Sequence, residues 1–371
     1  LLLGAGSSFE NPPANFYRTT ADVNETAETV AQLFLGVRLQ CAKCHNHPFD
    51  RWSQDDYYGL GAFFERVRKR KTPVADETFV YVASSGETKQ PRSGAIVKPS
   101  LPRVGPVELP PDADRREAFV AWLLAHDNPF FARVEANRVW SQFFARGIVH
   151  PVDEFRDSNP PSNQPLLDRL AAEFAAGGFD RRRLIRSIVG SRTYLSTGTA
   201  TAENRDDTVY GSHQVPRLLS AEQLLDAIDR VTGVDQTFGP LPAGTRATQL
   251  PAPDVARVDF LRMFGQPERG TVCACERADD SSLGMAIELV NGAVVNARLS
   301  DPQARFRREL AAGRPVEAVV RDLYLAALCR EPTPEESAAA LAQAAGAKDP
   351  ASGVADVCWA LFNCDEFVFQ H

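Results

Sequence analysis

Thr333-Pro334-Glu335-Glu336 is a strong helix start. The threonine can accept a hydrogen bond from a backbone N–H of the first turn, proline fits that turn, and the glutamates suit the positive end of the helix dipole. Apolar stripes at helical spacing surround this stretch. They predict helices over about 282–298, 302–311, 315–329, 334–346 and 351–364. We therefore expect a mainly α-helical chain.

Helical patterns also extend back to residue 112. Asn128-Pro129 reads as a cap followed by a proline in the first turn, and Ser220-x-x-Gln223 is a second capping pattern. Asn137 lies on the apolar stripe of the helix that Asn128 begins. Because a buried amide needs hydrogen-bond partners, we interpret Asn137 as a structural hub. The expected fold class is a multi-helix globular body.

A small β excursion is predicted near residues 76–98. Phe79-Val80-Tyr81-Val82 has the composition of a strand, Ser84-Ser85-Gly86 that of a turn, and 95–97 that of a partner strand. Four prolines between 102 and 111 break the regular pattern of the next segment, which reads as a linker. We therefore divide the chain into a C-x-x-C-H domain at 1–71, a β segment with linker at 72–111 and a helical C-terminal domain at 112–371.

The first of these domains is expected to contain two helices. Residues 24–40 read as an amphipathic helix capped by Asn24, and Ser53-Gln54-Asp55-Asp56 looks like a capping box that begins another. The basic run at 66–71 is predicted to end that second helix, where positive charge suits the helix dipole. The chain begins Leu1-Leu2-Leu3 rather than with methionine, so we expect an N-terminally truncated fragment.

Cys41-Ala42-Lys43-Cys44-His45 carries the chemistry. In C-x-x-C-H, two thiols attach a haem covalently and the adjacent histidine ligates its iron. On a helical turn, positions i, i+3 and i+4 face one way, so Cys41, Cys44 and His45 would present their side chains together.

A zinc site is the alternative. Cys41, Cys44 and His47 have plausible ligand spacing, and His45 offers a further imidazole. Cys273 and Cys275 would raise the number of thiols to the four that a structural zinc or iron–sulfur site uses. A chain with this site would be a non-catalytic scaffold or binding protein.

Composition excludes several other functions. The chain has 371 residues, 44% of them hydrophobic, and a formal net charge of −7, which argues against general nucleic-acid binding. It has no uninterrupted apolar run of membrane-spanning length. It also lacks the G-x-S-x-G, phosphate-loop and H-E-x-x-H motifs, so we assign no catalytic residue.

The motif lies within a longer resemblance. Residues 33–58 resemble the planctomycete secreted cytochrome-like proteins, which join a C-x-x-C-H domain to a larger C-terminal domain of unknown function. The C-terminal part is similar at 128–134, 137–140, 151–156, 158–162, 191–194, 273–277 and 359–363. The resemblance spans nearly the whole chain. It implies export to the periplasm or the extracellular space and haem c on Cys41, Cys44 and His45, and it implies little about activity.

The leading hypothesis is therefore an exported c-type cytochrome-like protein that performs one-electron transfer with an unknown redox partner, or haem-supported redox chemistry on an unknown substrate. A low-spin haem usually needs a second axial ligand, and Met263 is the candidate. A haem also needs an apolar cover. We expect that cover from the irregular segment 233–280, which holds Phe260, Leu261, Met263 and Phe264 beside Cys273 and Cys275.

Overall fold

The computed structural model describes residues 1–268 and 282–370, and helices form most of their regular structure. The strands make one three-stranded and two two-stranded sheets in these residues. The predicted fold class, mainly α with small β elements, is confirmed. In the described part of the chain, every helix is too short or too polar to cross a membrane.

The described residues form two units, and each is described separately. The first contains Leu1–Ser196 and Ala200–His213, and the second contains Thr197–Thr199 and the described residues from Gln214 onward. The domain limits predicted from the sequence follow changes in motif and composition, whereas these units are defined by which residues pack together. The second unit begins inside the C-terminal domain predicted at 112–371.

The first unit combines helices with a small antiparallel sheet. Its elements are β1 (Gly6–Ser7), α1 (Val23–Val30), α2 (Gln54–Gly61), β2 (Val67–Lys71), β3 (Thr78–Val82), β4 (Ser100–Leu101), β5 (Gly105–Pro106), α3 (Arg115–Leu123), α4 (Phe131–Phe144), α5 (Gln164–Ala176) and α6 (Arg181–Val189), with 3-10 segments at Pro12–Arg18 and Gln40–Lys43. The strand order β1-β3-β2 places β3 in the centre. Val80 of β3 is fully buried among the apolar side chains of α1 and α2.

The basic run was wrongly predicted as a helix end. Helix α2 ends at Gly61, and the basic residues form β2, which pairs with β3 from Val67↔Val82 to Lys71↔Thr78. Contacts with distant residues hold this strand: the Arg70 guanidinium lies 4.6 Å from the ring centroid of Phe79, and the Lys69 ammonium donates to the carbonyl of Thr20. The predicted partner strand at 95–97 is also wrong, since Ile96 makes only an isolated bridge with Lys89.

The first predicted helix is shorter than expected. Asp22 rather than Asn24 caps α1, accepting a 2.9 Å hydrogen bond from the backbone N–H of Glu25. A π-helical turn, Ala31–Leu35, comes directly after α1 and ends at Gly36, which is left-handed with φ +67°. A side chain at Gly36 would also place its Cβ 2.7 Å from Val134 and Phe155, so glycine is required there.

Asn137 is the structural hub that the sequence predicted. It is fully buried on α4. Its amide nitrogen donates to the carbonyl of Val149 at 2.8 Å, and its amide oxygen accepts from the backbone N–H of Val149 at 2.9 Å. The Asn137 side chain therefore pairs with both backbone groups of Val149, as a neighbouring strand would, and so holds the loop after α4.

The second unit is a helical assembly. Its elements are β6 (Arg217–Leu218), α7 (Ala221–Thr232), α8 (Asp259–Met263), α9 (Leu283–Asn291), α10 (Ala293–Ser300), α11 (Arg305–Ala311), α12 (Val316–Leu328), α13 (Pro334–Gly346), α14 (Pro350–Phe362), α15 (Asp365–Val368) and β7 (Phe369–Gln370), with a 3-10 turn at Ala247–Gln249. The capping boxes predicted at Ser220–Gln223 and Thr333–Glu336 are both present. The box predicted at Ser53–Asp56 in the first unit is present as well.

Helices α13 and α14 form a hairpin that is tight at its connected end. A Cβ on Gly353 of α14 would lie 2.5 Å from the Cα of Ala344 on α13. The glycine therefore permits an approach that no other residue allows without movement of one helix.

Replacing Gly353 tests this contact. Gly353→Ala should destabilise the protein by about 1–3 kcal/mol, because the added methyl overlaps backbone that cannot shift freely. Gly346→Ala is the matched control, since a Cβ there meets no atom within 4 Å. That variant should be neutral or up to about 1 kcal/mol more stable. Equal urea midpoints for the two variants would refute the close approach.

The Glu336 carboxylate gives the fold an acid-sensitive contact. Hydrogen bonds from the Arg330 guanidinium and the Thr333 backbone lower the pKa of Glu336 from 4.5 to about 2. Because the folded pKa lies below the unfolded one, the stabilisation is full above about pH 4.5 and is lost as pH falls towards 2.

Glu336→Gln should therefore lower thermal stability near neutral pH and flatten the loss of stability between pH 4.5 and 2. Thermal unfolding followed by circular dichroism at closely spaced pH values measures this. Glu335→Gln removes the same charge from an exposed neighbour and should keep the wild-type slope. An unchanged slope in Glu336→Gln would show that the Arg330 contact does not contribute.

Candidate functional site

The C-x-x-C-H residues form one helical turn on the surface of the first unit. A 3-10 segment covers Gln40–Lys43, and the backbone N–H groups of Cys44 and His45 both lie 3.4 Å from the carbonyl oxygen of Cys41. Cys41, Cys44 and His45 are all exposed, and both thiols are free. The turn thus presents two sulfurs and an imidazole to solvent.

The backbone of this turn is fixed from below. Leu39 and Ala42 are buried in the core of the first unit. The carbonyl oxygen of Lys43 accepts hydrogen bonds from the buried Gln54 amide at 2.9 Å and from the Tyr58 hydroxyl at 3.2 Å, both on α2. The capping box that starts α2 therefore also places the donor that holds the turn.

The chain that leads into the turn is held by a distant loop. Asp153 is 2% exposed; its carboxylate accepts from the Arg38 guanidinium at 2.7 Å and from the Gln32 amide. The carbonyl of Gly36 accepts from the backbone N–H of Phe155 at 2.8 Å. These bonds fix the segment immediately before Gln40–Lys43.

His45 has a defined tautomer. Its Nδ1 lies 2.8 Å from the backbone oxygen of Asn46. A carbonyl oxygen can only accept, so Nδ1 carries the proton in this hydrogen bond. The neutral imidazole then has its lone pair on Nε2, which is the state that a metal-ligating histidine adopts when a carbonyl orients it.

His47 has the opposite arrangement. Its Nδ1 lies 3.2 Å from the backbone N–H of Phe49 and must accept that hydrogen bond. The neutral ring therefore carries its proton on Nε2, and neither nitrogen offers a free lone pair. Zinc binding by His47 would require this bond to break.

The other predicted zinc ligands are not assembled in the described residues. Cys273 and Cys275 lie outside them. Within residues 1–268 and 282–370, no three His, Cys, Asp or Glu side chains are grouped to hold a metal ion. The described residues therefore give the zinc hypothesis no assembled set of ligands.

The segment predicted to cover the haem, residues 233–280, lies partly within the described residues. Phe260, Leu261 and Phe264 are buried in the core of the second unit, where the two phenylalanine rings stack with centroids 4.4 Å apart. Met263, the predicted axial ligand, is 41% exposed. Residues 269–280 of the predicted cover lie outside the described residues.

Cationic and aromatic groups surround the turn. The Arg92 guanidinium donates to the carbonyl of Cys44 at 3.2 Å, and Lys43 is exposed beside it. Trp52, whose carbonyl accepts from the backbone N–H of His47 at 2.7 Å, is 3% exposed. Its indole N–H has no hydrogen-bond partner among the described residues. The exposed cations favour an anionic group or partner near this face.

Sequence reasoning missed most of the supporting residues. Gln54 stands in the predicted capping box, yet its bond to Lys43 has no local signal. Arg92, Asp153 and Gln32 act across long sequence separations, so no motif announces them.

Two family models match the chain. The model described as PSD1: Protein of unknown function (DUF1553) matches residues 115–344, more than half of the chain. The chain belongs to the DUF1553 family. The model described as PSCyt2: Protein of unknown function (DUF1549) matches residues 8–69 of this DUF1553 protein, which include the C-x-x-C-H turn. The pairing confirms the resemblance at the level of two planctomycete-type domains of unknown function.

No curated protein and no solved structure matched this DUF1553 protein. The family models describe both domains as of unknown function, so a function for the turn has to be argued from its geometry.

Gln54 tests how the DUF1553 protein holds this turn. Gln54→Leu removes the amide that donates to Lys43 and accepts from Gln90, so we expect a loss of about 1–2 kcal/mol. Hydrogen exchange should accelerate at the amides of Cys44 and His45. Gln164→Leu is the control, because Gln164 is exposed and bonds only Asp168, one helical turn away. Unchanged exchange in Gln54→Leu would refute the anchoring role.

Proposed function

We propose that this DUF1553 protein is an exported c-type cytochrome-like protein. Cys41 and Cys44 would tether a haem through their sulfurs, and Nε2 of His45 would ligate its iron. Bound there, the haem supplies one-electron redox chemistry. The protein would exchange electrons with a partner whose identity the turn does not specify.

The tautomer of His45 carries this proposal. A proximal histidine needs its ligating nitrogen unprotonated and its ring held in orientation. The bond from Nδ1 to the Asn46 carbonyl provides both conditions. The free thiols one helical turn away supply the remaining groups of the motif.

The turn also suits covalent attachment in its exposure and rigidity. Both sulfurs are exposed, while Leu39, Ala42 and the Lys43 carbonyl are held below them. Both thiols are therefore accessible from solvent for attachment.

A structural zinc site is supported less well. His47 would have to release the Phe49 N–H before it could bind a metal. The proposed haem site uses His45, whereas a zinc site that uses His47 has to break this bond first.

Co-expression with haem-c maturation machinery and export tests the proposal. We expect a Soret band and a haem that resists acid–acetone extraction, because the tether is covalent. Cys41→Ala and Cys44→Ala should each weaken the attachment, and the double variant should carry no covalent haem.

The two histidines provide a matched comparison. His45→Ala should lose the spectrum of the ligated iron, whereas His47→Ala should keep both the covalent haem and that spectrum. Haem staining after denaturing electrophoresis, absorption spectra and elemental analysis measure the outcome. A colourless exported protein that binds one zinc, and loses it in His47→Ala, would replace the haem proposal with the zinc site.

A further inference from the structure

A groove of about 640 Å³ lies in the second unit, along the α13–α14 hairpin. The two helices touch at Gly353 and Ala344, near their connection. Farther from it, three of the residues that line the groove are alanines: Ala339 and Ala340 on α13 and Ala360 on α14. The small side chains leave open space, and Val357 and Leu361 provide a buried apolar floor there. This volume and lining are typical of a small-molecule site.

Two carboxylates and one arginine dominate one wall of the groove. Arg330 donates to Glu336 at 2.7 and 2.8 Å, to Glu366 at 2.6 and 2.7 Å, and to the carbonyl of Glu331 at 3.1 Å. A guanidinium has five N–H groups, and these bonds use all of them. Arg330 therefore cannot bind an anionic ligand. The wall as a whole carries one net negative charge.

Asp356 adds a further carboxylate to the groove. It is exposed and accepts a 2.9 Å hydrogen bond from the Gln343 amide, which is neutral. Three carboxylates and one guanidinium line the groove, which leaves an excess of two negative charges. Charge complementarity therefore favours a cation.

An aromatic ring stands at the rim in a fixed orientation. The indole N–H of Trp359 donates to the carbonyl of Val290 at 2.8 Å, and the residue remains 37% exposed. A held indole with an accessible surface can stack against an apolar body or attract a cation through its π face.

We infer that this groove binds an organic cation: an ammonium group next to the carboxylates, attached to an apolar body that covers the alanines and Trp359. The apolar floor supplies contact area, and the net negative charge of the lining selects a cation. This site lies within the second unit and does not depend on the proposed haem function.

Three probes that share a phenylethyl body test the inference on the full-length chain by isothermal titration calorimetry. They are 2-phenylethylammonium, the neutral 2-phenylethanol and the anionic 3-phenylpropionate. The ammonium should bind at least about tenfold more tightly than the alcohol, and the carboxylate should bind most weakly, because the groove lining carries net negative charge. Equal affinities for ammonium and alcohol, or no binding of the ammonium, would overturn the inference.

Paired variants locate the site. Ala339→Leu fills the groove, whereas Ala338→Leu makes the same change on an exposed residue of α13 that does not line it. Asp356→Asn removes one groove charge, whereas Glu335→Gln removes a charge elsewhere on the hairpin. We expect Ala339→Leu to weaken ammonium binding at least about tenfold, Asp356→Asn to weaken it severalfold, and both controls to bind like wild type.

Folding of each variant is checked by circular dichroism and thermal unfolding, and exposed substitutions should leave both unchanged. Ammonium binding that survives Ala339→Leu would place it outside the groove and refute the site. Binding that weakens equally in Asp356→Asn and Glu335→Gln would reflect overall charge and would also refute it.

Discussion

The Asp153 carboxylate determines where the C-x-x-C-H turn lies in the first unit. It is buried, and its hydrogen bonds reach Arg38 and Gln32, more than 110 residues earlier in the chain. A buried carboxylate without such partners would cost several kcal/mol, so the loop that carries it and the segment before the turn must form together. The left-handed Gly36 between Gln32 and Arg38 makes this possible, because its lack of a side chain lets Val134 and Phe155 approach.

The three predicted capping boxes are present because their stabilising contacts are local. The capping boxes at Ser53, Ser220 and Thr333 each satisfy backbone N–H groups within three residues, so the sequence alone contains both partners. The basic run at β2 failed for the opposite reason. Its charges suit a helix end, but Phe79 and the Thr20 carbonyl, which bind Arg70 and Lys69, are distant in sequence.

In the candidate site, too, the locally determined geometry was predictable from the sequence and the remaining features were not. The spacing of Cys41, Cys44 and His45 predicts a shared helical turn, since the geometry of one turn is local. The protonation of His45 and His47 was not predictable from spacing. Two histidines two residues apart acquire opposite tautomers because one faces a carbonyl oxygen and the other a backbone N–H. That difference makes His45 the better placed of the two histidines to ligate a metal, and it weighs against a zinc site that uses His47.

Exposure of the motif and rigidity of its backbone have one cause. The side chains of Ala42 and Leu39, on either side of Cys41 in the turn, point into the core, so the reactive groups must point outward. The Lys43 carbonyl oxygen then accepts hydrogen bonds from the Gln54 amide and the Tyr58 hydroxyl of α2. Orientation is fixed here by residues that bear no reactive group. A change beneath the turn should therefore alter how the thiols and His45 are presented together, while leaving the chemistry of each group unchanged.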